Sequence, residues 1–144
     1  MDVNTELALM KETTSARDQK TILLVDDDAA ALMYVSVTLD DGGRYKVIRA
    51  GSGPEALRLS RNYAGEIHLL LSDFQMPEMS GVELATAITS DRPKIKVLLM
   101  SGFPGGMLVL NEGWHFLAKP FIHAQLRALI SGLVSPERDS RFLS

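Results

Sequence analysis

Short apolar runs that each end in a polar or charged residue recur along the chain, and each is followed by a stretch with helical spacing. Residues 21–25 (TILLV) are nearly all apolar, the pattern of a strand buried on both faces of a parallel sheet. Asp26, Asp27 and Asp28 stop the run abruptly. Residues 29–40 then place Leu32, Val35 and Leu39 at three- and four-residue intervals, which predicts a helix. Residues 45–49 (YKVIR) read as a second strand. Ser52-Gly53-Pro54-Glu55 opens a second helix with a capping-box pattern, in which the Ser hydroxyl and Glu carboxylate satisfy free backbone amides. Residues 67–71 (IHLLL) predict a third strand leading into Ser72-Asp73. A loop with Pro77 and Gly81 follows, then a helix over 82–90 with Leu84, Ala85 and Ile88 on one side. Residues 96–100 (KVLLM) and 114–118 (WHFLA) predict strands four and five, and 122–134 a last amphipathic helix through Leu126, Leu129, Ile130 and Leu133. Between Ser101 and Gly113 four glycines and Pro104 leave room only for a short, irregular helix.

Strand and helix alternate five times. Right-handed crossovers then give a doubly wound α/β fold, a parallel sheet with helices on both faces. Ligands of such sheets bind outside the carboxyl ends of the strands. Those ends carry Asp26 and Asp27, Asp73, Ser101 and Lys119, residues far apart in sequence that the fold gathers at one edge. Taken singly, each has a plain reading: an acidic turn, a surface lysine, a Ser-Gly turn. Asp28 is best read as a helix N-cap.

Charge sharpens the picture. Three ionised carboxylates at that edge outweigh the single ammonium of Lys119, and close carboxylates repel. A divalent cation restores balance, and hard oxygen ligands beside a phosphate favour Mg²⁺. The whole chain has 15 Lys and Arg against 18 Asp and Glu, a net charge of −3, with no basic run suited to binding nucleic acid directly. Hydrophobic residues make up 46% of the sequence, enough for a normal core. Absence of cysteine removes disulfides, thiolate zinc sites and thiol nucleophiles. Neither a membrane-length apolar run nor a signal-peptide pattern is visible, so the sequence reads as soluble and cytoplasmic, with no membrane partner.

The stretches 22–28 (ILLVDDD), 70–77 (LLSDFQMP), 98–102 (LLMSG) and 116–121 (FLAKPF) together resemble the receiver domain of two-component response regulators, including those attached to hybrid sensor kinases. The resemblance covers about residues 21–134. It implies a flavodoxin-like three-layer α/β/α fold, with a five-stranded parallel sheet in the order 2-1-3-4-5. It also implies a role for each position. Asp73 is the phospho-acceptor, supplied by the phosphohistidine of a histidine kinase or phosphotransfer protein. Asp27 is a direct Mg²⁺ ligand, Asp26 its acidic partner acting mainly through water, and the Gln75 backbone carbonyl a further ligand. The Ser101 hydroxyl bonds the phosphoryl group, and Lys119 pairs with a phosphoryl oxygen. Phe116 is the aromatic switch, moving as Ser101 moves, so that the surface of the fourth helix, fifth strand and fifth helix presents a new shape to a downstream protein. The Lys119–Pro120 bond is expected to be cis.

Ser101 stands where Thr is commoner and Phe116 where Tyr is commoner, and the 101–119 stretch is short and Gly-rich. With Gly102 leaving the site open, a short-lived acyl phosphate is expected. His68, His115 and His123 lack metal-ligand spacing; Trp114 and Phe103 read as packing or partner contacts. Met76, Met79, Met100 and Met107 read as an adaptable surface near the site.

Residues 1–19 and 135–144 read as polar tails flanking a single domain over 20–134. A short helix over 6–12, with Leu7 and Met10 on one side, is the alternative for the first tail and leaves a homodimer open. Residues 120–144 hold one helix and little more, so an output domain after the receiver is not expected. The Met1 start and short tails favour a stand-alone regulator over an excised domain. Two rival functions remain. A Mg²⁺-dependent phosphatase of the haloacid dehalogenase type would use Asp26-x-Asp28 but leaves Asp73 without a role. An interaction module that is never phosphorylated leaves the whole set of strand-end residues without one.

Overall fold

A computed structural model describes residues 19–40, 42–102 and 113–134. The tails and the helix expected between strands four and five lie outside the described residues. The strands are β1 (Lys20–Val25), β2 (Tyr45–Ala50), β3 (Leu69–Asp73), β4 (Lys96–Ser101) and β5 (Trp114–Ala118). They are joined by helices α1 (Ala29–Leu39), α2 (Gly53–Asn62), α3 (Gly81–Asp91) and α4 (His123–Val134). All pairings are parallel, in the order β2-β1-β3-β4-β5. This is the doubly wound, flavodoxin-like arrangement that the sequence implied.

Side-chain alternation along the strands splits the core in two. Ile22, Leu24, Leu69, Leu71, Leu98 and Met100 face α1 and α4, meeting Val35, Leu39, Leu126 and Ile130. Leu23, Val25, Leu70, Val97 and Leu99 face α2 and α3, meeting Ala56, Leu84, Ala85 and Ile88. Both faces of the central strands are therefore covered, which is why their sequences are apolar runs rather than alternations. Full burial of each such side chain stabilises the fold by about 1.5–3 kcal/mol.

Several expectations are corrected. Strand β3 begins at Leu69 and continues through Asp73, whereas the apolar run suggested 67–71. Its register explains the shift: Leu69 pairs with Ile22 and Lys96, and Asp73 pairs with Met100. The acceptor candidate is thus the last residue of the strand itself, at the strand end where the sequence placed it. Met100 is fully buried and so belongs to the core rather than to an adaptable surface, while Met107 and Phe103 lie outside the described residues. His123 opens α4, within the helix expected over 122–134. At Ser52 only half of the capping box forms. Its hydroxyl accepts from the Glu55 amide, but Glu55 reaches back to the Gly51 amide instead of that of Ser52.

Candidate functional site

The parallel register lays the strand ends side by side. Val25 pairs with Ser72, Asp73 with Met100, and Ser101 with Ala118, so residues 26, 73, 101 and 119 leave the sheet along one edge. Backbone hydrogen bonds hold that edge: the Asp26 amide donates to the Ala50 carbonyl (3.2 Å), the Phe74 amide to Met100 (2.7 Å) and the Lys119 amide to Ser101 (2.7 Å). The Lys119–Pro120 bond is cis.

Asp26 is 2% exposed, Asp73 is half-buried and Asp27 is exposed. One carboxylate oxygen from each can be chosen so that all three lie within 4.8 Å of one another. Lys119 Nζ donates to Asp73 Oδ1 at 2.8 Å and stands 3.6 Å from Asp26 Oδ2, beyond hydrogen-bond reach. Asp26 Oδ1 accepts from the Asp28 amide (2.9 Å). Asp26 Oδ2 is buried without a hydrogen-bond partner, the one such side-chain atom among the described residues. An unpartnered carboxylate oxygen away from water is costly. With an all-oxygen donor set around it, this orphaned atom fits a small hard dication.

The electrostatics agree. Burial pushes the Asp26 carboxyl above its ordinary range; the Asp28 amide opposes this, the Asp73 charge adds to it, Lys119 opposes it and Asp27 adds to it. For Lys119 burial alone would lower the ammonium, but the Asp73 hydrogen bond and the charges of Asp26 and Asp73 overcome this and hold it above its usual value.

Asp28 acts as the N-cap of α1, its Oδ1 accepting from the Ala30 amide (3.0 Å). That cap gives Asp28 a structural role that does not require the Asp-x-Asp arrangement of the rival phosphatase reading. Ser101 is buried at the end of β4. Phe116 is half-buried on β5 and meets Phe74, the residue after Asp73, edge to face (centroids 6.3 Å apart, 75° between planes). Gln75 is exposed two residues beyond Asp73. Of the histidines, His68 Nδ1 accepts from the Thr21 amide at the opposite end of the sheet, and His115 lies half-buried on β5.

Three supports of the site escaped the sequence reading. A Cβ on Gly81 would lie 2.3 Å from the Asp73 carbonyl oxygen, so only glycine lets α3 start this close to the end of β3. Ser80 and Glu83 cap α3 reciprocally, a Ser-x-x-Glu signal that was present to be read. Glu78 takes a positive φ (69°), and the Met79 amide reaches the Pro77 carbonyl across it (2.7 Å), tightening the loop after Asp73.

The family model of the response regulator receiver domain matches residues 22–131. The chain belongs to this family. The receiver chain is 31% identical over 132 residues to the sensor kinase CckA of Brucella abortus, covering 89% of this chain and 14% of that kinase. It is 36% identical over 84 residues to the response regulator receiver protein CpdR of the same organism, covering 58% of this chain and 68% of that protein. Among solved structures, the receiver domain protein of Clostridium thermocellum superposes with a TM-score of 0.73 at 26% identity, over 83% of this chain and 97% of that one. The receiver domain of the hybrid histidine kinase CckA gives a TM-score of 0.67 at 30% identity, over 80% of this chain and 99% of that one. The receiver spans only 14% of CckA and 22% of the transcriptional regulatory protein GlrR of Escherichia coli. Family membership makes residues 22–131 a phosphoryl-accepting switch domain of two-component signalling. No described helix is long and apolar enough to cross a membrane.

Proposed function

We propose that this chain works in the cytoplasm, that Asp73 accepts a phosphoryl group from the phosphohistidine of a histidine kinase or phosphotransfer protein, and that the added charge reshapes a surface read by a downstream protein. The observation that carries this reading is the Lys119 ammonium bound to Asp73 Oδ1 at 2.8 Å beside the orphaned Asp26 oxygen. An Asp73 oxygen attacks phosphorus. The P–N bond breaks, its electron pair stays on the imidazole nitrogen, which takes up a proton from water, and an acyl phosphate forms on Asp73. Lys119 holds one carboxylate oxygen and so orients the other, then pairs with the incoming phosphoryl oxygens. Asp26, Asp27, Asp73 and the Gln75 backbone carbonyl would hold Mg²⁺, which when bound supplies charge neutralisation at the phosphoryl group.

The Ser101 hydroxyl turns to the phosphoryl group, and Phe116 follows into the space it leaves. The contact of Phe116 with Phe74 supports this coupling, because Phe74 is covalently next to the acceptor. Phosphorylation adds about −1.5 to −2 charge at this edge, and the surface around β5 and α4 shifts between two states. The unit that does this is residues 20–134.

The test is incubation with phosphoramidate and Mg²⁺, read by intact mass. One phosphoryl group per chain is expected, lost with Asp73→Asn and strongly suppressed by EDTA. Sustained phosphate release dependent on Asp26 would instead mean a phosphatase, and no labelling would mean an interaction module.

A further inference from the structure

Lys119 reaches the acidic edge from a loop that runs from its own cis-proline bond to the start of α4. On one side the loop is fixed by the Lys119 amide on the Ser101 carbonyl. At its far end α4 is started by a reciprocal pair, the Ile122 amide donating to Gln125 Oε1 (2.9 Å) and the Gln125 amide to the Ile122 carbonyl (3.1 Å). Toward α1 an open groove of about 370 Å³ runs between helix and loop, lined by Asp26, Ala31, Tyr34, Lys119 and Phe121 among others. A side chain that bridges such a groove fixes the loop through specific contacts.

Beside the core contacts of Val35 and Leu39 with Leu126 and Ile130, Tyr34 makes a polar connection across that groove. Tyr34 Oη donates to the Phe121 carbonyl at 3.1 Å, bridging 87 positions of sequence. Its ring stacks on His123 (centroids 4.2 Å apart, 16° between planes) and meets Phe121 edge-on. One turn further along α1, the Thr38 hydroxyl donates to the Tyr34 carbonyl (3.0 Å) and also contacts His123 Nδ1. With the hydroxyl proton committed to the carbonyl, the imidazole N–H donates to the Thr38 oxygen. Helix α1 itself begins immediately after Asp26 and Asp27, capped by Asp28. The clamp therefore ties the lysine loop to the element that positions the acidic pair.

We infer that Tyr34, backed by His123, is a positioning residue that holds Lys119 in reach of Asp73 and Asp26. This rests on the reading of Asp73 as the acceptor only for its kinetic consequence; the positional claim stands on the contacts alone. Tyr34 is 39% exposed, so Tyr34→Phe removes the hydroxyl without opening the core and keeps the ring stack. If the hydroxyl acts through Lys119, its loss matters only while Lys119 is present.

Two readouts separate this from a structural role. The first is acylation of Lys119 by a water-soluble N-hydroxysuccinimide ester, followed by peptide mass spectrometry. Tyr34→Phe is expected to speed modification of Lys119 by about threefold or more while leaving Lys46 and Lys96 unchanged, since an ammonium held between two carboxylates is a poor nucleophile until released. This arm needs no phosphotransfer, and an unchanged Lys119 rate overturns the inference. The second is Asp73 labelling by phosphoramidate in a double-mutant cycle. Tyr34→Phe is expected to slow labelling about three- to tenfold, but by less than twofold in a Lys119→Ala background. Equal slowing in both backgrounds, or none in either, overturns the inference. Absence of labelling in the unaltered chain would count against the acceptor reading and leave the acylation result to decide the role of Tyr34.

Discussion

Asp26 is asked to be both buried and ionised. Its carboxyl is raised first by burial and only partly relieved by the Asp28 amide, so the folded chain binds the Asp26 proton more tightly than the unfolded chain does. The stability this contributes is fully present below the ordinary Asp value of 3.8 and is lost as pH rises through the higher folded value. Without metal, the charged form at neutral pH is therefore a cost. Asp26→Asn keeps an oxygen for the Asp28 amide and removes the charge. In EDTA at neutral pH it is expected to stabilise the chain by roughly 1–2 kcal/mol, and to flatten the fall in urea midpoint as pH rises above the ordinary Asp value of 3.8. A lower midpoint for the variant at neutral pH would show that the ionised carboxylate is already well compensated by Lys119. At this scale the strand-end residues were legible because each ends an apolar run, so topology alone brings Asp26, Asp27, Asp73, Ser101 and Lys119 to one edge. Tyr34 was not legible. It sits in a helix that is apolar nearly all round, and its partner carbonyl is 87 residues away; only the packing of α1 against α4 brings them together.

At the scale of elements, the acceptor edge depends on how closely α3 begins to the end of β3. The Gly81 amide donates to the Phe74 carbonyl (2.8 Å), and the Ser80–Glu83 capping box fixes the first turn. Gly81→Ala places a methyl 2.3 Å from the Asp73 carbonyl oxygen, a backbone atom with no freedom to swing away. The helix start must shift, at an expected cost of about 1–3 kcal/mol, seen as a lower urea midpoint. Because the displaced strand end carries Asp73, labelling by phosphoramidate should slow as well. A variant that loses neither stability nor rate would mean that the two elements separate freely. The sequence marked Gly81 only as the end of a loop, since a close approach between two backbones leaves no trace in hydrophobic spacing. The same blindness moved β3: the apolar run suggests 67–71, but pairing with β1 and β4 carries the strand on to Asp73. Pairing partners, not local hydrophobicity, decide where a buried strand stops.

For the whole molecule, the order β2-β1-β3-β4-β5 was implied by the receiver motifs, whereas alternation of strand and helix alone gives only a parallel sheet covered on both faces. The consequence of that order is that β1 and β3, the two central acidic strand ends, are direct neighbours, with β4 and β5 adding Ser101 and Lys119 in turn. Each element is held by a core that does not itself care about the charges, so the repulsion at the edge is carried by the global fold. A cation that binds only the folded arrangement must then stabilise all of it, by about 2.7 kcal/mol when present at a hundred times its dissociation constant. The thermal unfolding midpoint is expected to rise by several degrees with Mg²⁺, whereas KCl at equal ionic strength should reproduce little of the rise because the buried Asp26 oxygen is shielded from screening. Asp27→Asn is the informative control. Asp27 is exposed, so its replacement leaves packing intact while removing one of the three carboxylates within reach of a shared ion. The variant should unfold near the wild-type midpoint without Mg²⁺ and respond far less when the ion is added. If KCl matches Mg²⁺, or if Asp27→Asn keeps the full response, the acidic edge is relieved by general screening and the stabilising ion is bound elsewhere or not at all.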